Sequence, residues 1–465
     1  EISACLVGSE MCIRDRAYTD FIAAIDLGTS HMVGMVGTKN ATGALSIIAY
    51  EVENSGTCIR RGCVYNVKET ASKIRRLILK LENKLGGAKI GQVYVGLGGQ
   101  SLRSIEHTVC KVLGTEGVVT EEIIDSLYQE CKDYRPDMLT VLDVVSPSYF
   151  LDDKPESNPV GVPCSRIEAR YKLIVGRPSL KLNIINSISE QAKIEIAGIL
   201  VSPLALGDVV LSDNEKDLGC ALIGFGAGVT TITVYKGGKL ASLSVVPFGG
   251  NLITKDITNL RVVESEAERL KITYGSAKAD RDNDMTIQVS LADGMGLREI
   301  KLAELNGVIE ARMDEILENV YARLEATGLM SVLGAGIVIT GGGAALKNLP
   351  AVMSERLKME VRYSAVRKGI VASGDLVVAS NPEYAVAVGL LAKGTKNCAL
   401  YIPPKPEPKI EPVVEPEPTV EPTPEPVKEK PKKEKKKGPG LFGRLTKGID
   451  TFGKTLFDDD DNESK

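Results

Sequence analysis

Residues 21–36 read FIAAIDLGTSHMVGMV, and the organisation of the chain can be worked out from this stretch. Two apolar segments, 21–25 and 33–36, flank a polar turn and predict a pair of buried strands. The turn, Asp26-Leu27-Gly28-Thr29-Ser30, offers backbone N–H groups and hydroxyls that suit phosphate oxygens. An Asp at the end of a strand could also hold a hydrated Mg²⁺ beside those phosphates. An ordinary hairpin with an Asp cap would have the same sequence pattern.

The same unit of strand, glycine turn and strand occurs again further along the chain. CALI (220–223) and VTTITVY (229–235) flank a glycine-rich turn within GFGAGVTT (224–231), and GIVITGGG (336–343) forms a third strand-and-glycine unit. Glycines allow a backbone to approach a phosphate or a nucleoside closely. The repetition predicts two halves of similar construction with a ligand in the cleft between them. Neither a P-loop nor a strand-linked dinucleotide fingerprint is present.

Taken together and in order, DLGTS, GFGAGVTT and GIVITGGGA resemble the phosphate-1, phosphate-2 and adenosine motifs of the actin, sugar-kinase and heat-shock-chaperone ATPase superfamily. Within it the chain resembles the FtsA family of bacterial cell-division proteins. The supporting stretches are VVPFGGNLITKDI (245–257), SEAERLKITYGSA (265–277) and PEYAVAVGLL (382–391). The resemblance covers about residues 18–400 and continues at the extreme C-terminus.

The resemblance implies an α/β, actin-like (ribonuclease H-like) two-domain fold with an inserted 1C subdomain, followed by a disordered linker and a C-terminal amphipathic helix. The implied boundaries are 17–98 for subdomain 1A (with about 178–210 and 380–400), 99–177 for 1C, 211–253 for 2A (with about 333–379) and 254–332 for 2B. Residues 1–16 look like a translated sequencing adapter, so we expect a non-native leader there and leave it out of the fold.

The resemblance also implies ATP and Mg²⁺ as cofactors and assigns roles to individual residues. Asp26 matches the acid that organises magnesium and water, which makes it the one candidate catalytic residue. Glu268 and Lys271 match the acid and base directed at ribose and adenine, although a surface ion pair explains them almost as well. The remaining nucleotide-binding candidates lie in the three turns: Gly28, Thr29, Ser30, Gly226, Gly228, Thr230, Gly341, Gly342 and Gly343.

One departure from the superfamily pattern bears on hydrolysis. Relatives open the phosphate-2 motif with an Asp that helps to hold magnesium, whereas this chain has Gly224 there and Val229 in place of the usual Thr. Losing that carboxylate removes metal support. We therefore expect ATP binding with slow or absent turnover.

The C-terminal region has a different composition. Half of the 22 prolines lie between Pro403 and Pro431, and the stretch 403–437 is rich in Pro, Glu and Lys, which predicts an extended linker. Residues 438–457 carry apolar side chains at steps of three and four, with basic residues mostly opposite, so they predict an amphipathic helix on anionic membrane or on a protein partner. The membrane-binding candidates are Leu441, Phe442, Leu445, Lys447, Ile449, Phe452, Lys454 and Leu456.

Composition narrows the possible functions. The net charge of −4 over 465 residues gives no argument for nucleic acid as a partner, and nine cysteines without a CxxC pair favour a reducing compartment. The leading hypothesis, which the family resemblance implies, is an adaptor that polymerises, tethers FtsZ to the cytoplasmic face of the membrane as a peripheral protein at the division site, and recruits later division proteins through 1C. A sugar or metabolite kinase and a nucleotide-holding pseudo-ATPase are the alternatives.

Overall fold

The structure, a computed structural model, describes residues 20–114, 117–290, 297–372, 378 and 381–400, with only the backbone of Ser146 and Ser290. The chain divides into two compact units, Glu1–Pro403 and Pro404–Lys465, and the described residues belong to the first. The predicted leader, linker and C-terminal helix therefore lie outside the described residues.

The first half is built on a five-stranded sheet. Its first three strands form an antiparallel meander, and two later strands add in parallel beside the first. In spatial order the strands are β11 (Glu195–Val201), β6 (Gln92–Leu97), β1 (Ile22–Leu27), β2 (His31–Lys39) and β3 (Leu45–Asn54). A small ribbon of β4 (Ile59–Arg60) and β5 (Cys63–Val64) follows β3.

Helices cover this sheet because their apolar residues fall on one face. In α1 (Val67–Lys84), Ile74, Leu77, Ile78 and Leu81 are buried, and the Asn66 side chain caps the helix by accepting the Glu69 N–H. Further helical segments in this half are α3 (Pro178–Ile185), the π-helix Asn186–Ala192, α4 (Ser202–Val210) and α10 (Ala385–Lys393). Of these, α4 packs against α10 and also reaches strands of both halves.

The second half repeats the strand order of the first. Its sheet runs β14 (Lys239–Val246), β13 (Thr230–Lys236), β12 (Cys220–Phe225), β17 (Ile337–Thr340), β18 (Val361–Tyr363), with a meander followed by two parallel strands. The main helix on this sheet is α8 (Leu302–Glu325), whose buried face includes Ile309, Met313 and Leu317. The other elements are α5 (Asp213–Leu218), α6 (Gly250–Thr258), α7 (Glu264–Tyr274), α9 (Leu349–Leu357), the 3₁₀ turns Met330–Val332 and Gly342–Ala345, and the hairpin of β15 (Thr286–Ser290) and β16 (Leu297–Lys301).

A third sheet lies within the stretch 99–177. It runs β7 (Arg103–Val112), β10 (Arg166–Gly176), β8 (Thr140–Leu151), β9 (Lys154–Glu156) and is covered by α2 (Glu121–Asp133). It has an apolar cluster of its own, centred on Leu127, Ile167 and Tyr171. The Ser104 hydroxyl accepts the Leu243 N–H at 2.8 Å, so this sheet also touches the edge strand β14 of the second half.

The described helices do not include one with the length and apolar content that crossing a membrane requires.

Candidate functional site

The first glycine turn begins with a carboxylate enclosed by three elements. Asp26 is the penultimate residue of β1, and Gly96 lies on the neighbouring strand β6. A Cβ placed on Gly96 would lie 3.1 Å from Asp26 Oδ1 and 2.5 Å from the hydroxyl of Ser202, the first residue of α4. The absence of a side chain at residue 96 therefore lets Asp26 and Ser202 share one small space.

This environment changes the acidity of Asp26. Burial of its carboxylate raises the pKa from its ordinary value of 3.8 to about 6, against the opposing effect of the hydrogen bond from the Leu27 N–H. A divalent cation beside the carboxylate would favour the ionised form and offset the burial cost. No group of three His, Cys, Asp or Glu residues in the described part of the chain could hold a metal. Mg²⁺ at Asp26 would thus take its other ligands from phosphate oxygens and water, as Mg²⁺ usually does.

The rest of the first turn is held by residues that sequence reasoning did not identify. Thr29 Oγ1 accepts the Gly62 N–H at 2.9 Å, from the turn between β4 and β5. The Ser55 hydroxyl donates to the Gly28 carbonyl at 2.7 Å, and the Ser55 N–H donates to the Ser30 carbonyl at 2.9 Å. These contacts fix the turn without using the backbone N–H groups of Gly28 and Thr29.

The second turn, between β12 and β13, is backed by the start of α6. The Gly226 carbonyl accepts the Gly250 N–H at 3.0 Å, and the Ala227 carbonyl accepts the Asn251 N–H at 2.8 Å. Thr230, predicted to contact nucleotide, is fully buried, and its hydroxyl donates to the Phe248 carbonyl at 2.9 Å. This hydrogen bond ties the turn to the segment that follows β14.

The first and second turns contact each other. A Cβ on Gly228 would lie 2.6 Å from Thr29 Oγ1 and 2.9 Å from the Cα of Arg61. The two segments predicted to contact phosphate are therefore in direct contact, although they are far apart in the sequence. Arg61 and Gly62 also lie at this contact, and neither was a candidate site residue in the sequence.

The third turn lies beside the second because their strands are parallel neighbours. Gly224 of β12 is the register partner of Thr340 of β17, so the carboxyl ends of both strands reach the same sheet edge. Gly341 has φ +87°, a left-handed conformation that favours glycine, and a Cβ there would lie 2.5 Å from the Phe225 carbonyl oxygen. A Cβ on Gly342 would lie 3.5 Å from a carboxylate oxygen of Glu383, which lines the same turn.

Glu268 and Lys271 lie next to the second turn. Their side chains form an ion pair of 2.6 Å on α7, and the Thr254 hydroxyl hydrogen-bonds to both. Lys271 Nζ also donates to the Gly250 carbonyl at 3.2 Å. The Gly250 N–H donates to the Gly226 carbonyl. The Glu268–Lys271 pair is therefore connected to the second turn through hydrogen bonds and is not an isolated surface ion pair.

The place of the missing phosphate-2 acid is already occupied. A Cβ on Gly224 would lie 2.6 Å from Thr231 Oγ1, its cross-strand partner, and 3.7 Å from Thr340 Cγ2. Thr340 is buried, and its hydroxyl has no hydrogen-bond partner among the described groups. The Thr231 hydroxyl and the Thr340 methyl group therefore border the position at which relatives carry a carboxylate.

The predicted membrane-binding residues, Leu441 to Leu456, lie outside the described residues, so the structure adds nothing about them.

Comparison with known proteins connects this architecture to a family. The family described as "Cell division protein FtsA" matches residues 221–389. A "Cell division protein FtsA" from Porphyromonas gingivalis is 39% identical over 382 residues, which cover 82% of this chain and 79% of that protein. The protein of the same description from Bacillus subtilis is 32% identical over 388 residues, covering 82% of this chain and 85% of that protein.

A solved structure supports the fold. The structure titled "PilM-PilN type IV pilus biogenesis complex" aligns with a TM-score of 0.56 at 15% identity, covering 80% of this chain and 97% of that one. Identity this low shows the fold alone. Together with the repeated strand order of the two halves, it confirms the predicted α/β actin-like fold.

Proposed function

Because this chain belongs to the FtsA family of cell division proteins, we propose that it is a nucleotide-binding adaptor that polymerises and links the division ring to the membrane. The observation that carries the nucleotide part is the convergence of the three glycine turns on one cleft. Gly228 lies against Thr29, and Gly224 lies beside Thr340. A nucleoside triphosphate would need two turns that bind its phosphates and one that binds its nucleoside, all close together.

The residues present fit ATP and Mg²⁺. Glycines at positions 28, 226 and 228 allow the close backbone contacts of the first and second turns, and backbone N–H groups in such turns suit phosphate oxygens. Gly341 and Gly343 pack closely on Phe225, and the nucleoside would lie along this turn with the Glu383 carboxylate beside Gly342. The Glu268–Lys271 pair adds polar groups at the start of α6, behind the second turn. Asp26 would hold the magnesium, which when bound neutralises charge on the phosphates.

The geometry supports holding nucleotide more than transferring its phosphate. A sugar or metabolite kinase needs an unpaired acid or base at the second turn, but this chain has Gly224 there, and the nearby Glu268 is paired with Lys271. A Cβ on residue 224 would also lie 2.6 Å from Thr231 Oγ1, so a carboxylate there would require Thr231 to move. We therefore favour a scaffold with slow or no turnover, in which the nucleotide stabilises a closed arrangement of the two halves.

Partners and location follow from the family and the sequence. We propose FtsZ as the partner of the region 254–332, a second copy of this chain as the filament partner, and later division proteins as partners of the 99–177 sheet. The tail 438–457 would attach the protein to anionic lipid on the cytoplasmic face of the membrane at the division site. The independent apolar cluster of the third sheet supports a module that can carry an interaction of its own.

Titration calorimetry of the full chain with ATP and Mg²⁺ tests the nucleotide proposal. We expect saturable binding that Asp26→Ala weakens, whereas Asp20→Ala, an exposed carboxylate just before β1, leaves binding unchanged. Absence of binding by the unmodified chain would refute the proposal.

Co-sedimentation tests the adaptor proposal. FtsZ and anionic vesicles are each mixed with the full chain, with and without ATP, and the pelleted fraction is measured. We expect the chain to bring FtsZ to the vesicles. A chain that binds ATP but neither FtsZ nor vesicles would leave the nucleotide-holding scaffold as the better description.

A further inference from the structure

Arg61 lies where the first and second glycine turns, both predicted to bind phosphate, contact each other. It follows β4, and its φ of +50° is a left-handed conformation in a residue other than glycine. The position of a Cβ on Gly228 is 2.9 Å from its Cα, and the N–H of the next residue, Gly62, bonds Thr29 Oγ1 at 2.9 Å. The backbone at residues 61 and 62 therefore contacts the turns of both halves.

The same residue also contacts the base of the third sheet. The Arg61 carbonyl accepts the Gln100 N–H at 3.1 Å, and its guanidinium Nη1 donates to Gln100 Oε1 at 3.3 Å. A Cβ on Gly62 would lie 2.9 Å from the Cα of Gly99. Arg61 is thus the meeting point of the two turns and the first residues of the 99–177 region.

The charge of Arg61 has only a weak partner. Its side chain is exposed, it bonds a neutral amide, and it forms no ion pair within the described part of the chain. Its neighbour Arg60 differs, because the Arg60 guanidinium stacks 3.8 Å from the centre of the Tyr65 ring. Lys271, on the other side of the second turn, is paired with Glu268. A guanidinium whose donors are largely unused suits phosphate oxygens, which it can contact with two parallel hydrogen bonds.

We propose that Arg61 exchanges its bond with Gln100 for the terminal phosphate of a bound nucleoside triphosphate and so distinguishes triphosphate from diphosphate. The inference rests on the proposed nucleotide binding. The first and second turns converge at Arg61, so the phosphate end of the ligand lies nearest to it. The exchange frees Gln100, and the base of the third sheet then responds to which nucleotide is bound.

The affinities of the full chain for ATP and for ADP, both with Mg²⁺, test this inference. Arg61→Gln is expected to weaken ATP binding about tenfold or more, as for the loss of a charge-assisted hydrogen bond, and ADP binding by no more than about twofold. Arg60→Gln removes the same charge one residue away and leaves the ratio of the two affinities unchanged. Arg61→Lys restores part of the preference for ATP.

A second variant tests the exchange without altering Arg61. Gln100→Glu gives the guanidinium a carboxylate partner, and it is expected to weaken ATP binding severalfold while leaving ADP binding nearly unchanged. An unchanged ratio of ATP to ADP affinity in both Arg61→Gln and Gln100→Glu overturns this inference alone. An unmodified chain that binds neither nucleotide overturns the proposed function and the inference with it.

Discussion

Replacing Asp26 by Asn should make the free protein more stable at neutral pH. Asn has nearly the same shape and can still accept the Leu27 N–H, but it removes the buried charge. The pKa of Asp26 is about 6 in the folded chain and is expected near 3.8 in the unfolded chain. Between these values the folded state keeps a proton that the unfolded state has lost. The free energy of unfolding therefore falls as pH rises from about 4 to about 6.

The size of the effect follows from the two pKa values. A rise from 3.8 to about 6 corresponds to about 3 kcal/mol of lost stability once the pH is above both values. This figure is an upper bound, because Asp26 keeps some exposed surface and water there screens the charge. Asp26→Asn should consequently match the unmodified chain below pH 4 and exceed its stability by up to about 3 kcal/mol at pH 7.5.

Urea denaturation between pH 3.5 and 8, in a chelating buffer without nucleotide, measures the difference. Asp282→Asn, which changes an exposed loop carboxylate, is the control and should show no such trend. Adding ATP and Mg²⁺ should then stabilise the unmodified chain more than Asp26→Asn, because a ligand that binds only the folded state raises its stability. A stability difference that stays constant from pH 4 to pH 7.5 would refute the burial argument.

Three further predictions concern the second turn, the third sheet and the tail. Gly224→Asp alone should leave ATP turnover unchanged, because the new Cβ would crowd Thr231 Oγ1. The double variant Gly224→Asp with Thr231→Ala should raise Mg²⁺-dependent phosphate release. Equal rates of phosphate release in the single and double variants would contradict the crowding. Removing residues 99–177 should preserve ATP binding and abolish recruitment of later division proteins; a folded remainder that cannot bind ATP would show the assignment to be wrong. Phe452→Glu should lower flotation with anionic vesicles about a hundredfold, since it forfeits roughly 2–3 kcal/mol of apolar burial and adds the cost of desolvating a charge. Truncation after Lys437 should have at least as large an effect, and equal flotation of all chains would favour a protein partner for the tail.

Local patterns were sufficient to predict much of the fold. Apolar strands around glycine turns, repeated in the second half, predicted two similarly built halves, and both sheets have the same strand order. The buried residues of α8 (Leu302–Glu325), among them Ile309, Met313 and Leu317, likewise recur at helical spacing on one face. Such features depend on residues a few positions apart, so the chain encodes them directly.

One contact could have been found earlier. Gly224 and Thr231 are cross-strand partners in a hairpin, and counting register outward from the turn places them opposite each other. The crowding between them can therefore be predicted from the sequence, as the loss of the carboxylate can. The bracing role of Thr230 was less accessible, because it depends on the Phe248 carbonyl beyond the end of β14.

The amino-acid sequence alone was enough to predict the class of fold, the family resemblance and the order of the three turns. Which groups come together is seen only in the folded chain: Asp26 with Ser202 across Gly96, Gly228 with Thr29, and Arg61 with the turns of both halves. Each of these contacts joins segments that are distant in sequence, and each depends on strand order, register and the approach of one half to the other. The raised pKa of Asp26 also depends on the tertiary structure, because the carboxylate is desolvated by all the groups packed around it and not only by its neighbours along the chain.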